Sequence, residues 1–269
     1  MPALDSIGRR TVEVVDYLGD FCRFAWRTLG WMCVGVAEWR NWRLVMSQFF
    51  EIGTRSIPVV MITGLFIGMV LAVQSVEELK GMGMQGQMGA IVNLSVLREL
   101  GPVLVGVMLA GRVGGGMTAE LGTMRVTEQL DALRVMGADP IRVLVVPRFL
   151  ACVVLIPALV LYASFMGILG GYLISVHLYY VNGADFWRYA GVDFFDIVYG
   201  PIKSVFFGGA LSLICCHRAF TCAPGAAGVG RACTESFVAS CMSIITLDLF
   251  LGMLLNRIHD LLGGAKAIF

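Results

Sequence analysis

Long apolar stretches alternate with short charged or glycine-rich connections along this chain of 269 residues. Residues 57–76, 90–118 and 143–176 each reach the roughly 20 apolar residues that cross the hydrocarbon of a bilayer, and a fourth such stretch closes on residues 247–255. Another, residues 197–216, is interrupted only by Pro201 and Lys203. The pattern predicts an all-α integral membrane protein with five transmembrane helices.

Ahead of these spans the pattern turns amphipathic. Residues 10–48 place Asp16, Asp20, Arg23 and Arg27 on one helical face and Val14, Leu18, Phe21, Ala25 and Leu29 on another. With Trp26, Trp31, Trp39 and Trp42 nearby, one or two helices lying in the membrane interface are expected. Packing on a soluble partner is the competing reading. The chain thus divides into an interfacial region (1–48), a five-span domain (49–257) and a C-terminal extension (258–269).

A second polar pattern follows the second span. Arg125, Glu128, Asp131 and Arg134 recur every third residue, and Leu121, Met124, Leu130 and Leu133 supply apolar positions. This predicts a short cytoplasmic helix that ends near Gly137, with Asp139 and Pro140 as the stop. Its charges suit either plain solvation or docking on a soluble motor. Inside the spans, Gly64 with Gly68, Gly111 with Gly115 and Gly167 with Gly171 stand four apart, a spacing that lets helices approach closely in a bundle or a homodimer.

Composition sharpens the class. A chain that is 58% hydrophobic and 14% charged, with a mean hydropathy of +0.80, cannot hide its apolar surface in one soluble core. Seven arginines precede the first span, five lie in the second connection and two in the fourth. The opposite side carries Lys80, Arg188, Lys203, Arg257 and Lys266. This bias predicts a cytoplasmic N-terminus and a periplasmic C-terminus. The opening residues contain acids and no apolar run with a cleavage site, which argues against a signal peptide.

Motif searches mostly exclude. No P-loop pattern, nucleophile elbow or acyltransferase pattern occurs, so the chain is not expected to hydrolyse ATP by the P-loop route or to be an enzyme. Cys215, Cys216, His217, Cys222 and Cys233 lack paired ligand spacing and read as small side chains at a helix end; no metal or other cofactor is expected. None of the cysteines falls in an outer loop, so no disulfide framework is expected.

Arg98 and Glu99 are the anomaly, two opposite charges near the start of the second span. An isolated charge in hydrocarbon costs at least ~2.5 to 3.5 kcal/mol, so both should face a cavity or another helix. Neighbours at i and i+1 do not face each other on a helix. Pro102, lacking an N–H, leaves the carbonyl of Arg98 without its usual donor. Asp248 is the only comparable acid noted deep in a span.

Residues 97–104 (LRELGPVL), 110–148 (AGRVGGGMTAELGTMRVTEQLDALRVMGADPIRVLVVPR) and 228–240 (GVGRACTESFVAS) together resemble the MlaE/YrbE permeases of MCE-associated, lipid-transporting ABC systems. Residues 64–74 are similar to the same family's first span, and the resemblance covers roughly residues 48–256. It implies a homodimeric permease of the bacterial inner membrane, coupled to a cytoplasmic ABC ATPase and an MCE-domain lipid-binding protein, often with a STAS-domain partner. It also implies a lipid pocket on Leu71, Gln74, Leu79, Arg98, Glu99 and Leu100, and an ATPase-coupling segment on Glu120, Arg125, Glu128, Asp131 and Arg134. The expected function is ATP-driven movement of phospholipids or related lipids between the inner membrane and the cell envelope. An ion-coupled secondary transporter is the alternative, and a membrane enzyme acting on lipids ranks last.

Overall fold

The computed structural model of the chain describes residues 2–35, 42–82, 87–188 and 194–261. Every regular element among them is helical. Five helices are long and apolar enough to cross a membrane: Leu44–Leu79, Met88–Val126, Ile141–Leu178, Phe195–Phe220 and Ala226–Leu261. They are the first to fifth spans below. Residues 44–48 continue the helix of the first span, and residues 258–261 complete that of the fifth. Trp39 and the rest of the expected extension, 262–269, lie outside the described residues.

The third span is the most buried and the fifth the least. Gly64 and Gly68 of the first span lie directly on the third. A Cβ on Gly68 would stand 1.7 Å from the Gly167 carbonyl oxygen, and one on Gly64 would stand 2.5 Å from that of Ala163. Without a hydrophobic effect between helices in lipid, such backbone contact gains dispersion that a larger side chain would forbid. Two of the four-apart glycine pairs therefore meet each other within one chain. The third pair behaves otherwise, because a Cβ on Gly115 would meet nothing within 4 Å.

The N-terminal helix, Pro2–Gly35, lies across the end of the bundle that carries the connection between the second and third spans. Its Arg27 and Trp31 both donate to Asp139, at 2.8 and 2.9 Å. Tyr17, Phe21 and Phe24 surround the His217 ring at 5.3–5.4 Å. Phe24 and Trp31 also pack on Leu121, Ile141, Val145, Cys216 and Ala219. Leu18 and Trp26 stay exposed. The helix is thus amphipathic with a protein-facing aromatic side as well as an outward apolar one.

The connection after the second span is not a single helix. The span continues to Val126, then Glu128 turns the chain with φ +59°, and a short helix runs Gln129–Val135. Gly137, at φ +78°, ends it: the Ala138 N–H donates to the Leu133 carbonyl and the Gly137 N–H to that of Arg134, both at 3.0 Å. This is the Schellman stop that the glycine predicts.

Candidate functional site

The second span holds its charges beside a local defect. Residues Val96–Leu100 form one π-helical turn, in which the Gly101 N–H reaches back to the Val96 carbonyl. Pro102 supplies no N–H to Arg98's carbonyl, and the Lys203 ammonium of the fourth span donates to that oxygen at 3.3 Å. The orphan acceptor expected from the proline is therefore filled by a cation from another helix.

Both members of the anomalous pair find partners on the fourth span. The Arg98 guanidinium donates from Nε to Asp196 at 2.6 Å, and Glu99 accepts from Lys203 at 2.8 Å. Lys203 also forms an ion pair with Asp248 of the fifth span at 2.9 Å. Lys203 and Asp196 are buried, whereas the Glu99 side chain is 50% exposed and Arg98's is 32% exposed. Glu99 is consequently both a strut and an accessible carboxylate.

Tyr199 completes the layer. Its ring lies 4.7 Å from the Lys203 ammonium and 5.6 Å from the Arg98 guanidinium, positions at which an aromatic face attracts cations. Its hydroxyl donates to the Gly252 carbonyl at 3.1 Å and to Asn256 at 3.3 Å, tying the fourth span to the fifth. Three spans are thus joined through one ionic and aromatic layer, which can meet the charges of a polar group entering from the exposed side of Glu99.

The other expected pocket residues are distributed differently. Leu79 is buried with Ala72, Val76, Met88, Val92 and Val96, and Leu71 packs against that cluster. These residues weld the first two spans. Gln74 is exposed and forms no side-chain hydrogen bond among the described residues, and Leu100 is half-buried.

Several assignments of charge need correcting. Lys203, counted on the outer side although it falls within the stretch 197–216, is wholly buried inside the fourth span. Arg148, counted with the second connection, is buried in the third, where it pairs with Glu120 at 2.8 Å. Asp196, the second residue of the fourth span, is a further buried acid. Asp196, Tyr199 and Asn256 were missed; Asp196 stands at the very start of the fourth span, just outside the apolar stretch 197–216, where an acid carries no signal of burial.

At the opposite end, Arg125, Glu128, Asp131 and Arg134 are all exposed. Asp131 and Arg134 pair on the short helix at 2.7 Å. Glu120 belongs to the second span rather than to this helix. The cysteines and His217 scatter: the Cys215 thiol faces Ser240 at 3.6 Å, Cys222 the Gly122 carbonyl at 3.8 Å and Cys233 the Gly115 carbonyl at 3.7 Å.

A family model described as Permease MlaE matches residues 45–254, which reach into all five spans and include the short helix. The chain belongs to the MlaE permease family. Among its relatives, the intermembrane phospholipid transport system permease protein MlaE of Haemophilus influenzae is 34% identical over 242 residues, covering 89% of this chain and 93% of that one. A probable ABC transporter permease of Rickettsia conorii is 37% identical over 243 residues, covering 90% and 93%. The chloroplastic protein trigalactosyldiacylglycerol 1 of Arabidopsis thaliana is 37% identical over 213 residues, covering 78% of this chain and 61% of its own length. In this MlaE-family chain, the stretches that carried the resemblance supply Arg98 and Glu99 to the ionic layer and build the short exposed helix.

Proposed function

We propose that this chain is the membrane subunit of an ATP-driven ABC transporter that moves phospholipids or related lipids between a bacterial inner membrane and the cell envelope. The observation that supports it best is the second span. One continuous helix, Met88–Val126, carries Arg98 and Glu99 toward one end and leads at the other into exposed Arg125, Glu128, Asp131 and Arg134. The short-helix end faces the cytoplasm with the N-terminus, and the C-terminus is periplasmic, as the arginine bias expects. Residues 49–257 form the permease unit.

In this reading Glu99 and Arg98 offer the headgroup a polar foothold while Leu71, Gln74, Leu79 and Leu100 line the way for the acyl chains. Glu120, supported by Arg148, backs the segment that seats on the ATPase. Two copies pair to complete the path, an MCE-domain protein receives or delivers lipid on the outer side, and a STAS-domain protein is a further partner. ATP is hydrolysed by the partner subunit.

Reversing Arg125, Glu128 and Asp131 together should abolish co-purification with the ATPase while leaving the permease folded, because exposed substitutions of this kind usually stay within about 0.5 kcal/mol. Intact assembly with all three charges reversed overturns the docking assignment. The buried charges Asp196 and Lys203, with half-buried Asp248 beside them, would also suit an ion-coupled carrier. Lipid movement by the purified chain without nucleotide would favour that alternative.

A further inference from the structure

A cavity of 410 Å³ opens between the first and second spans at the end that carries the short helix. Gln48, Glu51, Arg55, Arg112, Gly116 and Glu120 are among its lining residues. Three of its charges are already matched: Glu51 pairs with Arg55 at 2.6 Å, and Glu120 pairs with buried Arg148 at 2.8 Å. Arg112 differs. Its guanidinium donates to the Ser56 hydroxyl, which itself donates to the Ile52 carbonyl at 2.6 Å. Among the described residues Arg112 forms no ion pair.

A guanidinium presents five N–H donors in a planar fork that fits a phosphate, and a half-buried cation without a counter-charge is costly. Among the described residues, Arg112 is therefore the lining charge that has no opposite charge paired with it. Gly116 leaves room beside it, because a Cβ there would meet nothing within 4 Å. Arg112 stands about 20 Å along the helix from Arg98, so this site is separate from the ionic layer.

We propose that this cavity is a second polar site, one that takes a phosphate group on Arg112 at the cytoplasmic end of the first two spans. The group comes from a phospholipid headgroup of the inner leaflet or from dissolved phosphate. The proposal rests on the lipid-permease reading only for the choice of lipid probe.

The purified full-length chain, held in a sugar-headgroup detergent, is mixed with a phosphatidylglycerol bearing a diazirine beside its glycerol ester. After illumination the labelled peptides are mapped by mass spectrometry. Labelling of residues 48–56 or 112–120 is expected to fall about tenfold in Arg112→Gln, the scale of a lost charge-assisted contact, and to persist largely in Arg112→Lys. Gly116→Leu, which puts bulk into the cavity one helical turn from Arg112 and keeps the arginine itself, should lower it as well, and keeps the test decisive if Arg112→Gln fails to fold. Labelling that resists excess inorganic phosphate supports the lipid source; labelling that inorganic phosphate removes overturns it in favour of dissolved phosphate. Equal labelling in the wild type, Arg112→Gln and Gly116→Leu, or none at these residues, overturns the site. Neither ATPase binding nor transport enters this measurement, so its failure leaves the docking assignment standing.

Discussion

Two seams hold the bundle together by opposite means. Between the first and third spans, Gly64 and Gly68 press backbone against Ala163 and Gly167, with no polar side chain involved. Between the second, fourth and fifth spans, Arg98, Glu99, Asp196, Lys203 and Asp248 reach across on long or charged side chains. The glycine seam is fixed by steric fit and has no substitute partner. The ionic seam is held by charges, and a charged headgroup can compete for any of them that remains accessible. One seam suits a rigid frame and the other a surface that exchanges contacts during transport.

The glycine seam should break most severely. At Gly68 even a methyl group would fall 1.7 Å from a carbonyl oxygen of the third span, so relief requires the two helices to separate. Gly68→Ala is expected to eliminate the monodisperse folded species in size-exclusion chromatography. Gly115→Ala, with open space around the new Cβ, should leave that profile unchanged and may be compared directly as the same substitution in a helix, where alanine is favoured over glycine by ~1 kcal/mol. Equal behaviour of the two variants would mean that close approach does not distinguish these glycines.

Breaking the ionic seam should cost less and be reversible by design. Lys203→Met leaves Glu99 and Asp248 facing each other's charge without their shared cation and removes the donor to Arg98's carbonyl. Loss of one member of a buried ion pair typically costs about 3–5 kcal/mol, to be read as a lowered thermal midpoint in detergent. Adding Glu99→Gln and Asp248→Asn to Lys203→Met removes the stranded charges and should recover much of the loss. A triple variant no more stable than Lys203→Met alone would show that packing, not charge, holds this seam.

The two seams also differ in how far the sequence discloses them. A glycine repeat four residues apart is a local pattern, and two such repeats suffice to predict close helices, though not that they would be partners. The five spans and the stop at Gly137 are equally local, since hydropathy and a left-handed glycine state themselves within a few residues. The ionic seam is not local. Arg98 meets Asp196 across 98 positions of chain and Glu99 meets Lys203 across 104, and no spacing rule links them. The sequence showed that Pro102 would orphan a carbonyl; only the fold shows that Lys203 answers it. The pattern set Lys203 inside the fourth apolar stretch but tallied its charge on the outer side, because a count of charges cannot see the ion pairs with Glu99 and Asp248 that hold it inside. The break at Glu128 was hidden for a related reason: a left-handed φ at a residue other than glycine leaves no trace in composition.

The smallest change separates the strut from the contact within the ionic seam itself. Glu99→Gln keeps the shape of the side chain and leaves Lys203 its partner Asp248 at 2.9 Å. Because Glu99 is half exposed, the loss of its ion pair should move stability by no more than ~1 kcal/mol, the range for accessible pairs. Arg98→Gln removes the cation that faces buried Asp196 and should lower the thermal midpoint more than Glu99→Gln does. Measured side by side in a reconstituted lipid-transport assay, Glu99→Gln is expected to slow transport while its melting profile stays near that of the wild type. Such a split assigns Glu99 to the moving headgroup, because a carboxylate that only spaces helices would affect transport through stability. Transport and melting that fall in proportion in both variants would return Glu99 to the role of a strut, and would make the two seams alike in kind.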